Sequence, residues 1–208
     1  MTKIAHPNLK PDELTPIATV AILGGGAWGS ALATLVRGRG HRVRLWSRRG
    51  ELSLEAALQD AEIILSAISM KGVPETVQRL KSIALPGSTI LASATKGLDS
   101  ATRQTPSQLW QAAFPAHSVV VLSGPNLSEE IKQKLPAATV AASFDIEAAQ
   151  FVQTVLSSDR FRVYTNTDPI GTELGGTLKN VIAIAAGVCD GLNLGTNARS
   201  GLITRALP

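Results

Sequence analysis

A glycine-rich turn between an apolar strand and an amphipathic helix most constrains this sequence. Thr19–Leu23 is a short continuous apolar run, as expected of a strand buried on both faces. Gly24, Gly26 and Gly29 follow with G-x-G-x-x-G spacing, and apolar residues then recur at helical spacing. A second apolar run, Val43–Trp46, completes a strand–turn–helix–strand unit. This order predicts a βαβ unit that binds a dinucleotide; the alternative is a glycine-rich turn in another kind of α/β protein.

The three spaced glycines have different predicted roles in such a unit. Gly24 makes the tight turn, Gly26 lets the backbone approach the pyrophosphate, and Gly29 lets the helix pack closely on the strand. The pyrophosphate would lie at the helix N-terminus, where free N–H groups and the helix dipole favour an anion. The pattern alone is common, so its position between a strand and a helix carries the prediction.

The residues after the second strand indicate which dinucleotide binds. NAD sites usually carry an acidic residue about 20 residues beyond the glycines, where it bonds the ribose 2′-hydroxyl. Here Ser47, Arg48 and Arg49 occupy that region, and no carboxylate precedes Glu51. Arginine suits the 2′-phosphate of NADP through charge-assisted bonds. We therefore favour NADP(H) over NAD(H) as the cofactor; a pair of solvent-facing arginines is the alternative.

Strand and helix patterns alternate along the chain up to about residue 166. Alternation of this kind is typical of an α/β fold with a Rossmann-like, doubly wound, mostly parallel sheet, and ligands bind at the carboxyl ends of its strands. Beyond the βαβ unit, strands are predicted at Glu62–Ile68, Ser88–Ala94, Ser118–Leu122, Ala138–Ala142 and Phe161–Tyr164. Helices are predicted at Leu54–Asp60, Pro74–Ile83, Ser107–Phe114, Ser128–Lys134 and Asp145–Leu156.

The pattern changes at Thr167. Asp168 and Pro169 are a good N-cap and first-turn proline, and they open a long helix that runs to about Asp190. A second helix is predicted to begin near Thr196 or Asn197. We therefore predict a flexible tail (residues 1–17), a dinucleotide-binding domain (18–166), and the N-terminal part of an all-helical substrate domain that is incomplete (167–208).

Composition excludes several classes of function. The net charge is only +4, and aromatic residues that could stack on bases are few, with three Trp, one Tyr and four Phe. We therefore expect no nucleic-acid partner. Cys189 is the only cysteine, which fits a cytoplasmic protein without disulfides. The apolar run Val181–Cys189 is too short to cross a bilayer, so we expect no membrane insertion.

Two further strand ends carry residues suited to an anion. Lys96 follows the fourth strand, where a lysine can bind a phosphate or a substrate oxygen, or can be an ordinary surface lysine. Ser123-Gly124-Pro125-Asn126 ends the fifth strand and opens a helix, so its backbone N–H groups can meet an anion. A simple turn with a helix cap is the alternative.

The long helix contains an isolated lysine. Lys179 lies in a nearly uncharged stretch, and Gly175 lies four residues earlier on the same helical face, which leaves space beside the ammonium group. A lysine that loses hydration in such a place exchanges a proton near neutral pH and can act as a base. The alternative is a lysine whose stem lies along an apolar face.

Together these residues resemble the bacterial type of NAD(P)-dependent glycerol-3-phosphate dehydrogenase. The stretches that carry the resemblance are Gly24–Ala31, Ala94–Leu98, Ser123–Asn126, Phe161–Tyr164 and Glu173–Arg205. The short link between Arg49 and Glu62 is similar to that of cyanobacterial members. The resemblance implies interconversion of sn-glycerol 3-phosphate and dihydroxyacetone phosphate, which feeds glycerophospholipid synthesis, and a homodimer is a candidate assembly.

The resemblance also implies roles for individual residues. Lys179 would accept the proton of the substrate C2 hydroxyl, or donate it in reverse, and Lys96 would touch both cofactor and substrate. The other implied substrate-binding residues are Gly124, Asn126 and Asn180. The other implied cofactor-binding residues are Gly24, Gly26, Ala27, Trp28, Gly29, Arg48, Arg49 and Ser128; no metal is implied.

The sequence departs from the family at three points. Asn126 stands where the family usually has Ser or Thr, and the segment after Arg49 is short. Family members also continue for about a hundred residues, so the chain resembles a C-terminally truncated member. Two alternatives to an active dehydrogenase of this type therefore stay open: a truncated product that binds NADP(H) without turnover, and a related two-domain dehydrogenase acting on a hydroxy acid.

Overall fold

The computed structural model describes residues 16–206. Seven strands form one sheet: β1 Thr19–Leu23, β2 Arg42–Trp46, β3 Ile63–Ser66, β4 Ile90–Ser93, β5 Val119–Ser123, β6 Ala137–Ala142 and β7 Phe161–Asn166. Eight α-helices accompany it in the described residues: α1 Ala27–Gly38, α2 Leu54–Leu58, α3 Val73–Leu80, α4 Pro106–Ala113, α5 Ser128–Lys132, α6 Ile146–Leu156, α7 Pro169–Gly191 and α8 Gly195–Ala206.

The strand order is β2-β1-β3-β4-β5-β6-β7, and every neighbouring pair is parallel except β5 with β6. The predicted doubly wound, Rossmann-like fold followed by helices is therefore confirmed. The chain passes from β1 to β2 on one side and then returns to β3 on the other side of β1. This reversal opens a crevice at the carboxyl ends of β1 and β3, the place where such sheets bind ligands.

Alternate residues of β1 enter two different cores, because successive strand side chains point to opposite faces. Val20 and Ile22 join α1 and α6 on one face, whereas Ala21 and Leu23 join α2, α3 and α4 on the other. All five residues of β1 are buried. The continuous apolar run in the sequence therefore reflects a central strand covered on both faces.

Local signals set the helix starts. Thr105 and Gln108 form a capping box at α4, Asp145 caps α6, and Asp168 Oδ1 accepts a 2.8 Å hydrogen bond from Gly171 N at α7. Three helices end at least two residues earlier than predicted: α2 stops at Leu58, α3 at Leu80 and α5 at Lys132. Asp60 and Lys134 have positive φ angles of 53° and 58°, which an α-helix does not allow.

Helix α7 packs against β5, β6 and α4, and α8 packs against α7. Arg199 Nη1 lies 3.7 Å from Asp190 Oδ1, and this ion pair also joins the two helices. The division at residue 166 stays a prediction, although the last strand ends there. Most of the predicted tail, and Leu207 with Pro208, lie outside the described residues.

Candidate active site

The glycine turn brings backbone atoms closer than side chains would allow. Gly24 has φ +121°, and a Cβ on it would lie 2.5 Å from Ala67 O at the end of β3. A Cβ on Gly29 would lie 1.8 Å from Gly24 O. Gly24 therefore makes the turn and Gly29 allows α1 to pack on it, as the spacing predicts.

The N-terminus of α1 is open to a ligand. Its N-cap is Gly26, which provides no side-chain cap, and no acidic residue occupies the first turn. A Cβ on Gly26 would meet nothing within 4 Å, and Ala27 is exposed beside it. Free N–H groups and open space at a helix N-terminus fit a pyrophosphate, so this part of the site suits a dinucleotide.

The end of β2 adjoins the glycine turn. A Cβ on Gly25 would lie 3.1 Å from Ser47 Cβ, and Arg48 and Arg49 follow in an exposed turn. Neither arginine forms an ion pair in the part of the chain that the structure describes. Both guanidinium groups are therefore available to an anion next to the turn, which suits the 2′-phosphate of NADP.

Two other predicted cofactor residues border the same crevice. Trp28 is half-buried and packs against the core on the α1 side of the sheet. Ser128 is the first residue of α5, and α5 packs against α1. Contacts of Trp28 and Ser128 with a cofactor stay predictions.

Lys96 lies at the junction of β4, β5 and α7. The side chain is half-buried, and its Nζ donates a 3.1 Å hydrogen bond to Gly124 O. Burial, together with the nearby charge of Lys179, lowers the pKa of Lys96 from 10.5 to about 8. A 3.1 Å hydrogen bond from Gly97 N to Thr177 Oγ1 also joins the segments that carry Lys96 and Lys179, although 83 residues separate the two lysines in the sequence.

The environment of Lys179 differs from the expectation. Lys179 and Asn180 are exposed in the described chain, so the prediction that Lys179 is desolvated is wrong here. The neighbours of Lys179 on α7, Leu178 and Val181, are also exposed, because no described element covers this side of the helix. A Cβ on Gly175 would meet nothing within 4 Å, in agreement with the predicted open space.

Gly124 and Asn126 have structural contacts in the loop after β5. A Cβ on Gly124 would lie 2.8 Å from Ala138 O, so only glycine fits there. Asn126 Nδ2 donates a 2.8 Å hydrogen bond to the same carbonyl of Ala138. This amide therefore fixes the loop, and substrate contacts of Gly124 and Asn126 stay predictions.

Comparison with known proteins identifies the family to which the chain belongs. A family model described as the NAD-dependent glycerol-3-phosphate dehydrogenase N-terminus matches residues 19–54 and 49–149. The corresponding C-terminus model matches residues 168–208. The chain belongs to the NAD-dependent glycerol-3-phosphate dehydrogenase family.

Curated members of this glycerol-3-phosphate dehydrogenase family are close in sequence. The glycerol-3-phosphate dehydrogenase (NAD(P)+) of Trichormus variabilis is 64% identical over 189 residues, 91% of this chain and 62% of the relative. The one from Synechocystis is 60% identical over 91% of this chain and 60% of the relative. The chain thus spans about three fifths of the length of these relatives.

Solved structures of glycerol-3-phosphate dehydrogenases are similar to this chain in fold. A glycerol-3-phosphate dehydrogenase from Coxiella burnetii superposes with a TM-score of 0.83 at 34% identity, over 91% of this chain and 66% of that chain. The Plasmodium falciparum glycerol-3-phosphate dehydrogenase structure, at 22% identity, has a TM-score of 0.81 over 89% of this chain and 62% of its own. The second likeness supports the fold alone.

Sequence reasoning missed how this dehydrogenase-family chain attaches α7. Glu173, Gly176 and Thr177 form one line along the helix, here termed the α7 contact stripe. The Glu173 carboxylate accepts hydrogen bonds from Ser107 N, at 3.1 Å, and from Ser107 Oγ at the start of α4. Glu173 is only 3% exposed, and burial raises the pKa of its carboxyl group.

The other two members of the stripe face different strands. A Cβ on Gly176 would lie 2.2 Å from Ser123 Oγ at the end of β5. Thr177 Oγ1 accepts a 3.1 Å hydrogen bond from Gly97 N, next to Lys96. The i, i+3, i+4 spacing of the stripe was visible in the sequence and is the signal that could have revealed it.

Among residues 16–206, no cluster of three His, Cys, Asp or Glu side chains could hold a metal ion. No helix in that range is long and apolar enough to cross a membrane.

Proposed function

We propose that the chain interconverts sn-glycerol 3-phosphate and dihydroxyacetone phosphate with NADP(H), accepts NAD(H) less well, and serves glycerophospholipid synthesis. The observation that carries the proposal is the juxtaposition of Lys96 and Lys179 at the same edge of the sheet as the open glycine turn. The printed names of the cyanobacterial relatives, which state glycerol-3-phosphate dehydrogenase and NAD(P)+, support the choice of substrate and cofactor.

The lysine pair has chemistry suited to this reaction. When bound, the nicotinamide supplies the acceptor or donor of the hydride at C2. Lys179 takes the proton of the C2 hydroxyl during oxidation and returns it during reduction. Burial and the charge of Lys179 lower the pKa of Lys96 to about 8, so Lys96 can lose a proton closer to neutral pH than an ordinary lysine can.

The remaining residues bind and orient. Lys96, Gly124, Asn126 and Asn180 border the substrate, and the positive charge of Lys96 attracts its phosphate. Gly24–Gly29 would hold the cofactor, the α1 N-terminus would bind its pyrophosphate, and Arg48 and Arg49 would bind its 2′-phosphate. A cytoplasmic location and a homodimer complete the proposal, and light scattering tests the dimer.

Turnover is tested by NADPH oxidation with dihydroxyacetone phosphate. We expect NADPH to bind the 208-residue chain itself. The same chain joined to the part of the Trichormus variabilis relative that follows the matched region should oxidise NADPH rapidly. Binding of NADPH without turnover in both proteins would contradict the proposed activity. Faster reduction of a keto acid such as pyruvate would contradict the substrate assignment.

Arg48→Ala should weaken NADPH binding by about 10-fold or more and leave NADH binding within about twofold, because a lost charge-assisted bond costs roughly 1.5–3 kcal/mol. The matched control is Arg42→Ala, at the opposite end of β2, which should change neither affinity. Fluorescence titration with both cofactors measures this. Equal losses for NADPH and NADH would remove the argument for a 2′-phosphate contact.

A further inference from the structure

The α7 contact stripe holds the helix that carries Lys179. Glu173 fixes its position against α4, Gly176 sets its approach to β5, and Thr177 reaches the loop after β4. The contact from Thr177 leads to the backbone next to Lys96, because its partner Gly97 is the next residue in the chain.

Both hydrogen-bonding capacities of the Thr177 hydroxyl are used. Its hydrogen is donated to Glu173 O, 3.0 Å away, one helical turn earlier. This bond orients Oγ1 so that a lone pair accepts the hydrogen of Gly97 N at 3.1 Å. Gly97 has φ +115°, a conformation that side chains rarely adopt, so the loop turns at the residue that Thr177 holds.

Lys96 and Lys179 are thus attached to the two ends of one hydrogen bond. Lys96 precedes Gly97 by one residue, and Lys179 follows Thr177 by two. Nothing in the ammonium groups themselves favours their approach, since like charges repel. Lys96 Nζ is held to Gly124 O, and the hydrogen bond between Gly97 and Thr177 adds the restraint that joins the loop after β4 to α7.

We propose that Thr177 is a positioning residue that holds Lys96 beside Lys179 by fixing the Gly97 backbone to α7. Its effect on turnover rests on the proposed function, whereas its effect on the lysine pair does not. Without the bond, the loop after β4 is free to move away from α7 and the two ammonium groups separate.

Thr177→Val tests the proposal, because valine has nearly the same shape and lacks the acceptor. We expect the pKa of Lys96 to rise from about 8 by about one unit towards 10.5, since one of the groups that lower it moves away. The pH dependence of acylation of Lys96 by acetic anhydride, followed by mass spectrometry on the substrate-free chain, measures this. Thr177→Ser keeps the hydroxyl and should restore the wild-type titration.

The matched control is Thr154→Val. Thr154 Oγ1 also donates to the carbonyl four residues earlier, Gln150 O at 2.9 Å, but it is exposed. This variant also replaces a helical threonine by valine, far from Lys96, and should leave the pKa of Lys96 unaltered. Hydrogen exchange of the Gly97 amide is the second measurement: its protection should fall in Thr177→Val and in the smaller variant Thr177→Ala, so a poorly folding valine variant still leaves a test.

Activity measurements distinguish the positioning role of Thr177 from the proposed dehydrogenase function of the chain. In the chain joined to the relative's C-terminal part, Thr177→Val should lower kcat about 10-fold, as expected when Lys96 and Lys179 are misplaced relative to each other. A shifted Lys96 titration in a protein without dihydroxyacetone phosphate turnover would support the positioning role and contradict the function. An unshifted titration and unchanged Gly97 protection in folded Thr177→Val would overturn the positioning role.

Discussion

Lys179→Ala is expected to reduce turnover of dihydroxyacetone phosphate by roughly 100- to 10,000-fold, the usual contribution of a positioned general acid–base group. NADPH affinity should change little, because the glycine turn and Arg48 lie on other elements. Lys179 is exposed in the described residues, so its truncation should cost less than about 0.5 kcal/mol of stability. Steady-state kinetics and NADPH titration of the chain joined to the relative's C-terminal part measure both effects.

Two further variants sharpen this prediction. Lys179→Arg keeps the positive charge but cannot lose its proton, so it should be nearly as inactive as the alanine variant. Lys81→Ala removes an exposed lysine just after α3 and should be fully active. Activity in Lys179→Arg would show that charge is what matters at this position, and turnover in Lys179→Ala would contradict its assignment as the base.

Gly29→Ala is expected to lower the free energy of unfolding by about 3 kcal/mol or more, because a core overpacked against backbone cannot relax cheaply. The added Cβ would lie 1.8 Å from Gly24 O, so α1 must move away from the turn. Urea unfolding measures the loss, and NADPH binding should be lost with it.

Two alanine variants of neighbouring glycines serve as controls. Gly26→Ala meets nothing within 4 Å, so stability should change by less than about 0.5 kcal/mol while NADPH binding falls, because the Cβ occupies the space for the pyrophosphate. Gly38→Ala lies in the last turn of α1 and should stabilise by up to about 1 kcal/mol without affecting NADPH. A stable Gly29→Ala, or tight NADPH binding by Gly26→Ala, would contradict the roles given to these glycines.

Much of the fold could be predicted because its signals are local. Thr19–Leu23 is a central strand and reads as an unbroken apolar run, and the glycine spacing defines the turn that follows. The antiparallel pairing of β5 with β6 could not be predicted, since nothing in Ala137–Ala142 records the direction of its neighbour. Pairing is decided by packing over the whole sheet.

In the candidate site, too, local features could be predicted from the sequence and contacts between distant residues could not. Arg48, Lys96 and Lys179 were each found from their position at a strand end or in a helix. The contact between Lys96 and Lys179 and the burial of Glu173 were not, because each depends on residues more than sixty positions apart. The open space predicted at Gly175 is present, but the sequence did not reveal that a Cβ on the adjacent Gly176 would lie 2.2 Å from Ser123 Oγ. Adjacent helical residues point about 100° apart, so a difference of one residue selects a different neighbour.

The α7 contact stripe anchors the N-terminal part of α7, so this helix can pivot around the stripe. Among the described residues of α7, the stripe lies in the first nine positions, and Gly191 ends the helix far beyond it. At a rise of 1.5 Å per residue, a tilt of about 5° around Thr177 would move Gly191 by roughly 2 Å but Lys179 by only about 0.3 Å. Lys179 therefore lies close to this pivot point, so movement of the far end of α7, and of α8 packed against it, reaches Lys179 with only a small amplitude.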